Sequence, residues 1–167
     1  RGLYLSPINP ATQFQYKYDV PRLGHGAFRA PNRAFGAVLT YFLSEASEGG
    51  VEVCVADAVG ATVRTFRGPG LRGFNRVAWD LRMQPLPMDT SVYEPPSLDV
   101  GPRGPFVLPG RYEVTVQAAS ASQSEWVDVR PDPLLDLSAE EQRRRYDFTL
   151  ALYELQRREY EIGRAHV

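Results

Sequence analysis

From Ala37 onward the chain alternates apolar and polar residues. Leu39, Tyr41 and Leu43 share one face of an extended run, and Val51, Val53 and Val55 share one face of the next. A period of two over such runs predicts half-buried strands. Asp57-Ala58-Val59-Gly60 predicts a hairpin turn, with Gly60 supplying positive φ. The return run from Thr62 to Phe66 ends at Gly68-Pro69-Gly70. A fourth run sets Val77, Trp79 and Leu81 inward and Arg76 and Asp80 outward. Tyr112, Val114 and Val116 then alternate against Arg111, Glu113, Thr115 and Gln117, and Val127 and Val129 close the series before Pro131 and Pro133.

Six or seven short strands between residues 36 and 130 predict a mainly β fold, an immunoglobulin-like antiparallel β-sandwich. The sandwich carries an N-terminal extended linker and a C-terminal α-helix. Residues 1–35 read as the linker, because Pro7, Pro10, Pro21 and Pro31 interrupt every run; Leu3-Tyr4-Leu5 reads as the end of a strand from an upstream domain. Residues 82–109 form a long connection containing Pro85, Pro87, Pro95, Pro96, Pro102, Pro105 and Pro109. Proline lowers the entropy cost of an ordered path, so this loop is expected to wrap against the sandwich.

Residues 131–161 hold a Pro-Asp-Pro segment and a helix. Ser138-Ala139-Glu140-Glu141 is a capping box, in which serine caps the first turn and Glu141 reaches back. Beyond it lie two apolar stripes on nearly opposite faces. One contains Tyr146, Leu150, Tyr153 and Tyr160; the other contains Phe148, Ala151, Leu152 and Leu155. A surface helix needs one apolar face, so two faces imply two partners and predict a second C-terminal helix. Ile162–Val167 is what ATC GGA AGA GCA CAC GTC encodes, the start of a short-read sequencing adapter, and residues 162–167 are set aside as such an artefact.

Net charge is −1, which gives no global attraction to nucleic acid or an anionic membrane. Arginine outnumbers lysine, with Lys17 alone, which fits a GC-rich genome better than a phosphate-binding role. The single cysteine, Cys54, excludes an internal disulfide. No apolar run is long enough for a membrane span.

No catalytic or cofactor set emerges, and no metal site is expected. His25 sits in a glycine loop without cysteine or carboxylate at ligand spacing. Cys54 reads as a small strand hydrophobe, and Asp57 and Asp80 as turn and strand-edge residues. Arg143-Arg144-Arg145 and Arg157-Arg158 are interspersed with acidic residues, the pattern of a solvated helix. Trp79 is placed in the core with Tyr41 and Tyr112, whose hydroxyls reach the rim. Trp126 points outward and, with Tyr93 and Phe106, makes up the expected interaction surface.

Five segments carry a family resemblance. They are Gly36-Ala37-Val38-Leu39-Thr40-Tyr41-Phe42-Leu43, Val51 to Asp57 with Gly60, Val63-Arg64-Thr65-Phe66, Gly73-Phe74-Asn75-Arg76-Val77-Ala78-Trp79-Asp80, and Leu108-Pro109-Gly110-Arg111-Tyr112-Glu113-Val114. In this order they resemble the immunoglobulin-like domain of flagellar hook-capping proteins. They are more similar to the version that follows the β-propeller of bacterial sortilin-type, sialidase-like exported proteins. Pro131-Asp132-Pro133 and the helix continue the likeness, which covers residues 36–160. Ala58-Val59 and Ser44-Glu45 depart from the family's usual turn residues. The resemblance implies a secreted or periplasmic, non-catalytic accessory module whose partner is an upstream β-propeller in the same chain. The alternatives are a carbohydrate- or protein-binding module using Trp126 and the 82–109 loop, and an assembly domain of hook-cap type.

Overall fold

The computed structural model describes residues 2–14, 34–86, 103–119 and 121–165, with no side-chain description for 163–165. Two sheets share one hydrophobic core, an arrangement consistent with a β-sandwich. The three-stranded sheet has the order β1 (Leu3–Leu5), β3 (Ala37–Leu43), β6 (Gly73–Trp79). The five-stranded sheet has the order β2 (Ala11–Thr12), β8 (Ala121–Arg130), β7 (Gly110–Ala118), β4 (Val51–Ala56), β5 (Thr62–Gly68). All pairings are antiparallel except β2 with β8, which is parallel.

The alternation read from the sequence reappears as burial. Leu39, Tyr41 and Trp79 from one sheet meet Val53, Val55, Val114, Val116 and Val127 from the other, all within 1% of full burial. Trp79 and Tyr112 bridge the sheets edge to face, with ring centroids 5.4 Å apart. Such a contact contributes about 0.5–1.5 kcal/mol beyond the area it buries. The Trp79 Nε1 donates to the Arg82 carbonyl at 2.9 Å, which satisfies the one polar atom of a fully buried indole.

Within the expected linker, residues 2–14 contribute more than a connection to this body. Leu3–Leu5 pairs with β3, and Ala11–Thr12 pairs with β8. Leu3, Leu5 and Ala11 are buried, and the Leu5 amide donates to Gln123 Oε1 at 2.7 Å, tying β1 to β8 across the two sheets. A three-residue strand is too short to show a period, which is why its apolar ends read as a fragment of something else.

The two ends of the 82–109 connection are fastened to each other. Arg82 and Phe106 form an antiparallel bridge, flanked by Met83 N to Pro105 O at 2.8 Å and Val107 N to Leu81 O at 3.0 Å. Gln84 N bonds to Val63 O, so the start of the segment also lines the outer edge of β5. Leu81 is fully buried at φ 59°, a left-handed conformation rare for leucine.

α1 (Ala139–Ala165) begins with the predicted capping box. The Glu141 amide donates to Ser138 Oγ at 3.2 Å, and the Ser138 amide donates back to Glu141 Oε2 at 2.9 Å. The Ser138 hydroxyl, donating to the same Oε2 at 2.7 Å, and the Ser138 amide together hold the Glu141 carboxyl below its usual range. Tyr146, Leu150, Tyr153 and Tyr160 are half-buried, whereas Phe148, Ala151, Leu152 and Leu155 are exposed. The first stripe fixes the helix to the segment beside β5: Tyr153 donates to Gln84 O at 2.8 Å, and Tyr146 approaches Met83 Sδ at 3.9 Å.

Candidate interaction surface

The outward positions of β1, β3 and β6 hold an aromatic row. Tyr4 stands opposite Phe42 in the β1–β3 register, and Phe42 stands opposite Phe74 in the β3–β6 register. Phe42 and Phe74 meet edge to face at 5.3 Å. The three rings therefore cross the sheet at one level, over about 10 Å given a strand spacing near 4.8 Å. Tyr4 is 54% exposed and Phe74 78%, with Leu71 also open nearby at 70%. Three aromatic side chains on adjacent strands, presented to solvent, form a contiguous apolar patch of the kind that marks an interaction site.

The sequence pattern alone does not reveal the row. A signal did exist: Phe42 and Phe74 are large apolar residues at positions where the alternation demands polar ones. What period two cannot supply is the register that sets these two beside each other and beside Tyr4.

Trp126 lies on the outer face of the five-stranded sheet, 42% exposed, between buried Val127 on one side and Glu113 as its cross-strand neighbour. The Arg111 guanidinium rests 4.7 Å from the centre of its ring. Cation–π stacking at an exposed site contributes about 0.5–1 kcal/mol and covers one face of the indole. The other polar groups of this sheet face are partly self-paired, as in Thr115 with Ser124 at 2.8 Å.

Phe106 is half-buried rather than presented. Arg82 covers its ring at 3.7 Å, and Phe35 approaches its edge at 6.1 Å. The Arg82 guanidinium also donates to Gly104 O at 2.9 Å, and burial lowers its pKa, opposed by the nearby Asp80 charge. Phe106 therefore closes the loop onto the body, a contact that sequence separation hid. Tyr93 and His25 lie outside the described residues. The structure thus does not gather Trp126 and Phe106 into one surface: Trp126 stands on β8, and Phe106 packs beneath Arg82.

A cleft of about 210 Å³ lies between the body and α1, walled by Arg82, Phe106, Leu135, Gln142, Arg145 and Tyr146. It is smaller than the roughly 300–1,000 Å³ of sites that enclose organic ligands. Cys54 sits mid-strand, half-buried, with Sγ 3.7 Å from Thr62 Oγ1. Asp57 accepts from Val59 N and Ala61 N, which builds the hairpin turn. Among the described residues, no group of three His, Cys, Asp or Glu side chains is placed to hold a metal ion. No described helix is long and apolar enough to cross a membrane.

No protein-family model, curated protein or solved structure matches the chain.

Proposed function

We propose that the chain is a non-catalytic, immunoglobulin-like accessory module of a larger exported β-propeller protein, and that its aromatic row packs on that neighbour. The observation that carries the reading is the row itself, Tyr4–Phe42–Phe74, exposed on the three-stranded sheet. A domain joined ahead of the first strand would attach beside Tyr4, at the edge of this face. Covering the row removes apolar surface from water at about 25 cal/mol per Å².

Two features support the immunoglobulin-like assignment. The sheet orders β1-β3-β6 and β8-β7-β4 match the A-B-E and G-F-C strands of such sandwiches, with β5 beside the C equivalent. Tyr112 near the start of β7 donates to the backbone four residues upstream, the arrangement of a tyrosine corner.

The test joins the chain to the sequence that precedes it in the source DNA, with a protease site in the connection. The two pieces are expected to remain associated after cleavage, and the Phe42→Ser/Phe74→Ser pair to release them. Separation of the unaltered pieces would overturn the docking reading. Saturable binding of an oligosaccharide to the isolated chain, lost in Trp126→Ala, would favour the carbohydrate-binding alternative instead.

A further inference from the structure

We infer that the outer stripe of α1 is a self-association surface, pairing antiparallel with the same helix of a second copy. Phe148 is 67% exposed, Leu155 56% and Leu152 47%, with Ala151 open between them. The face opposite is already engaged by Tyr146 and Tyr153 against Met83 and Gln84, so the helix cannot turn to bury the stripe.

The charges at the two ends of the stripe choose the partner and its direction. Arg144 and Glu159 lie within about 60° of each other around the helix axis, at opposite ends of the apolar residues. A two-fold axis passing between Ala151 and Leu152 sets Phe148 against Leu155 of the second copy. The same axis sets Ala151 against Leu152, and Arg144 against Glu159, of that copy. Every residue of the stripe then meets a complement, and the interface is isologous, as the commonest dimers are. A parallel pair would instead face Arg144 with Arg144 and Glu159 with Glu159, two like-charge contacts in a partly desolvated interface.

Two further details fit this register. Ala151 at the centre leaves room for the Leu152 side chain of the other copy. Arg144 now pairs with Glu140 at 2.7 Å across a widely exposed contact, which holds its guanidinium at the stripe's edge with donors to spare. All six residues precede Glu161, ahead of the stretch read as adapter-encoded. The contact runs about 22 Å along the helix. Its small area makes the dimer weak and transient, with a Kd of roughly 10–100 µM.

The experiment is sedimentation of the full chain from about 5 to 500 µM, bracketing that range. The unaltered chain is expected to shift from monomer to dimer. Leu152→Glu, Arg144→Glu and Glu159→Arg should each raise the Kd about tenfold or more. The double reversal Arg144→Glu/Glu159→Arg should recover it to within about threefold. These positions are exposed, and unchanged thermal unfolding of each variant verifies that the fold is intact. A monomer at every concentration overturns the inference and assigns the stripe to a following helix or an adjoining domain. A dimer indifferent to Leu152→Glu overturns it, as does a double reversal that fails to recover association.

Discussion

The Tyr112 hydroxyl donates to the Leu108 carbonyl oxygen at 2.7 Å, across the turn that Pro109 and Gly110 make into β7. The tyrosine ring meanwhile packs on Trp79 of the opposite sheet. One side chain thus joins the entry of a strand to the contact between the layers. Tyr112→Phe keeps the ring and deletes the donor, leaving the Leu108 carbonyl without this partner. The expected loss is about 1–3 kcal/mol, read as a lower urea midpoint with an unchanged slope. Tyr112→Ala also removes the ring and is expected to cost more, about 3–5 kcal/mol.

Burial pushes the Tyr41 phenol up to about 12, and raises that of Tyr112 further, with Tyr146 and Asp57 adding to the effect. Both hydroxyls donate to backbone carbonyls, Tyr41 to Pro69 O at 2.5 Å, so ionisation would destroy the bonds as well as bury charge. In the unfolded chain these groups ionise near pH 10. Their contribution is therefore whole below about pH 10 and is lost as pH rises through the folded values. Denaturant midpoints are expected to be flat on the neutral side and to fall between about pH 10 and 12. Tyr41→Phe should flatten part of that fall. A fall that begins well below pH 10 would contradict the assignment.

Gly36 and Gly60 both have positive φ, 97° and 86°, but different surroundings. A Cβ on Gly36 would collide with the Trp79 backbone carbonyl, whereas a Cβ on Gly60 would meet nothing. Gly60→Ala is expected to cost only the left-handed backbone penalty, about 1–2 kcal/mol. Gly36→Ala adds a backbone shift where β3 and β6 pair, at Ala37 and Trp79, and should cost clearly more. Thermal unfolding of the two variants side by side checks the order.

The strands from Ala37 to Arg130 were legible because all but β5, whose burial does not alternate throughout, present alternate residues to one core, and alternation is a local signal. The capping box at Ser138 and the outward side of Trp126 were legible for the same reason. Phe106 and Tyr4 were not. Phe106 sits under Arg82, a partner brought near by the closing of a long connection. Tyr4 gains its meaning from Phe42, a cross-strand neighbour fixed by register. Both depend on contacts distant in sequence, which no periodicity encodes.

Ser138→Ala removes the acceptor for Glu141 N and the donor to Glu141 Oε2. Loss of an N-cap hydroxyl costs about 1 kcal/mol, and here the helix is held by few other contacts. Reduced helical circular dichroism with an unchanged β signal is the expected outcome. Acid should act in the same direction: Glu141 has its carboxyl lowered, so its contribution is present above its ordinary value and lost as pH falls through the folded one. In Ser138→Ala this acid-dependent step should be diminished.

Phe74 offers a sharper separation of stability from association. It is the most exposed ring of its row and makes one ring contact, with Phe42. Phe74→Thr puts a β-branched residue, well suited to a strand, in place of the aromatic one and removes the ring from the surface. Its effect on unfolding is expected to stay within about 1 kcal/mol, the scale of a single cross-strand pair. Binding of a hydrophobic dye to the folded chain should fall at the same time, because the row loses its most accessible member. Tyr41, on the opposite side of the same strand pair, gives the contrasting result: fully buried, its replacement by threonine should unfold the domain rather than quiet its surface. A Phe74→Thr variant as unstable as Tyr41→Thr would mean that the row is packed against the body, not presented by it.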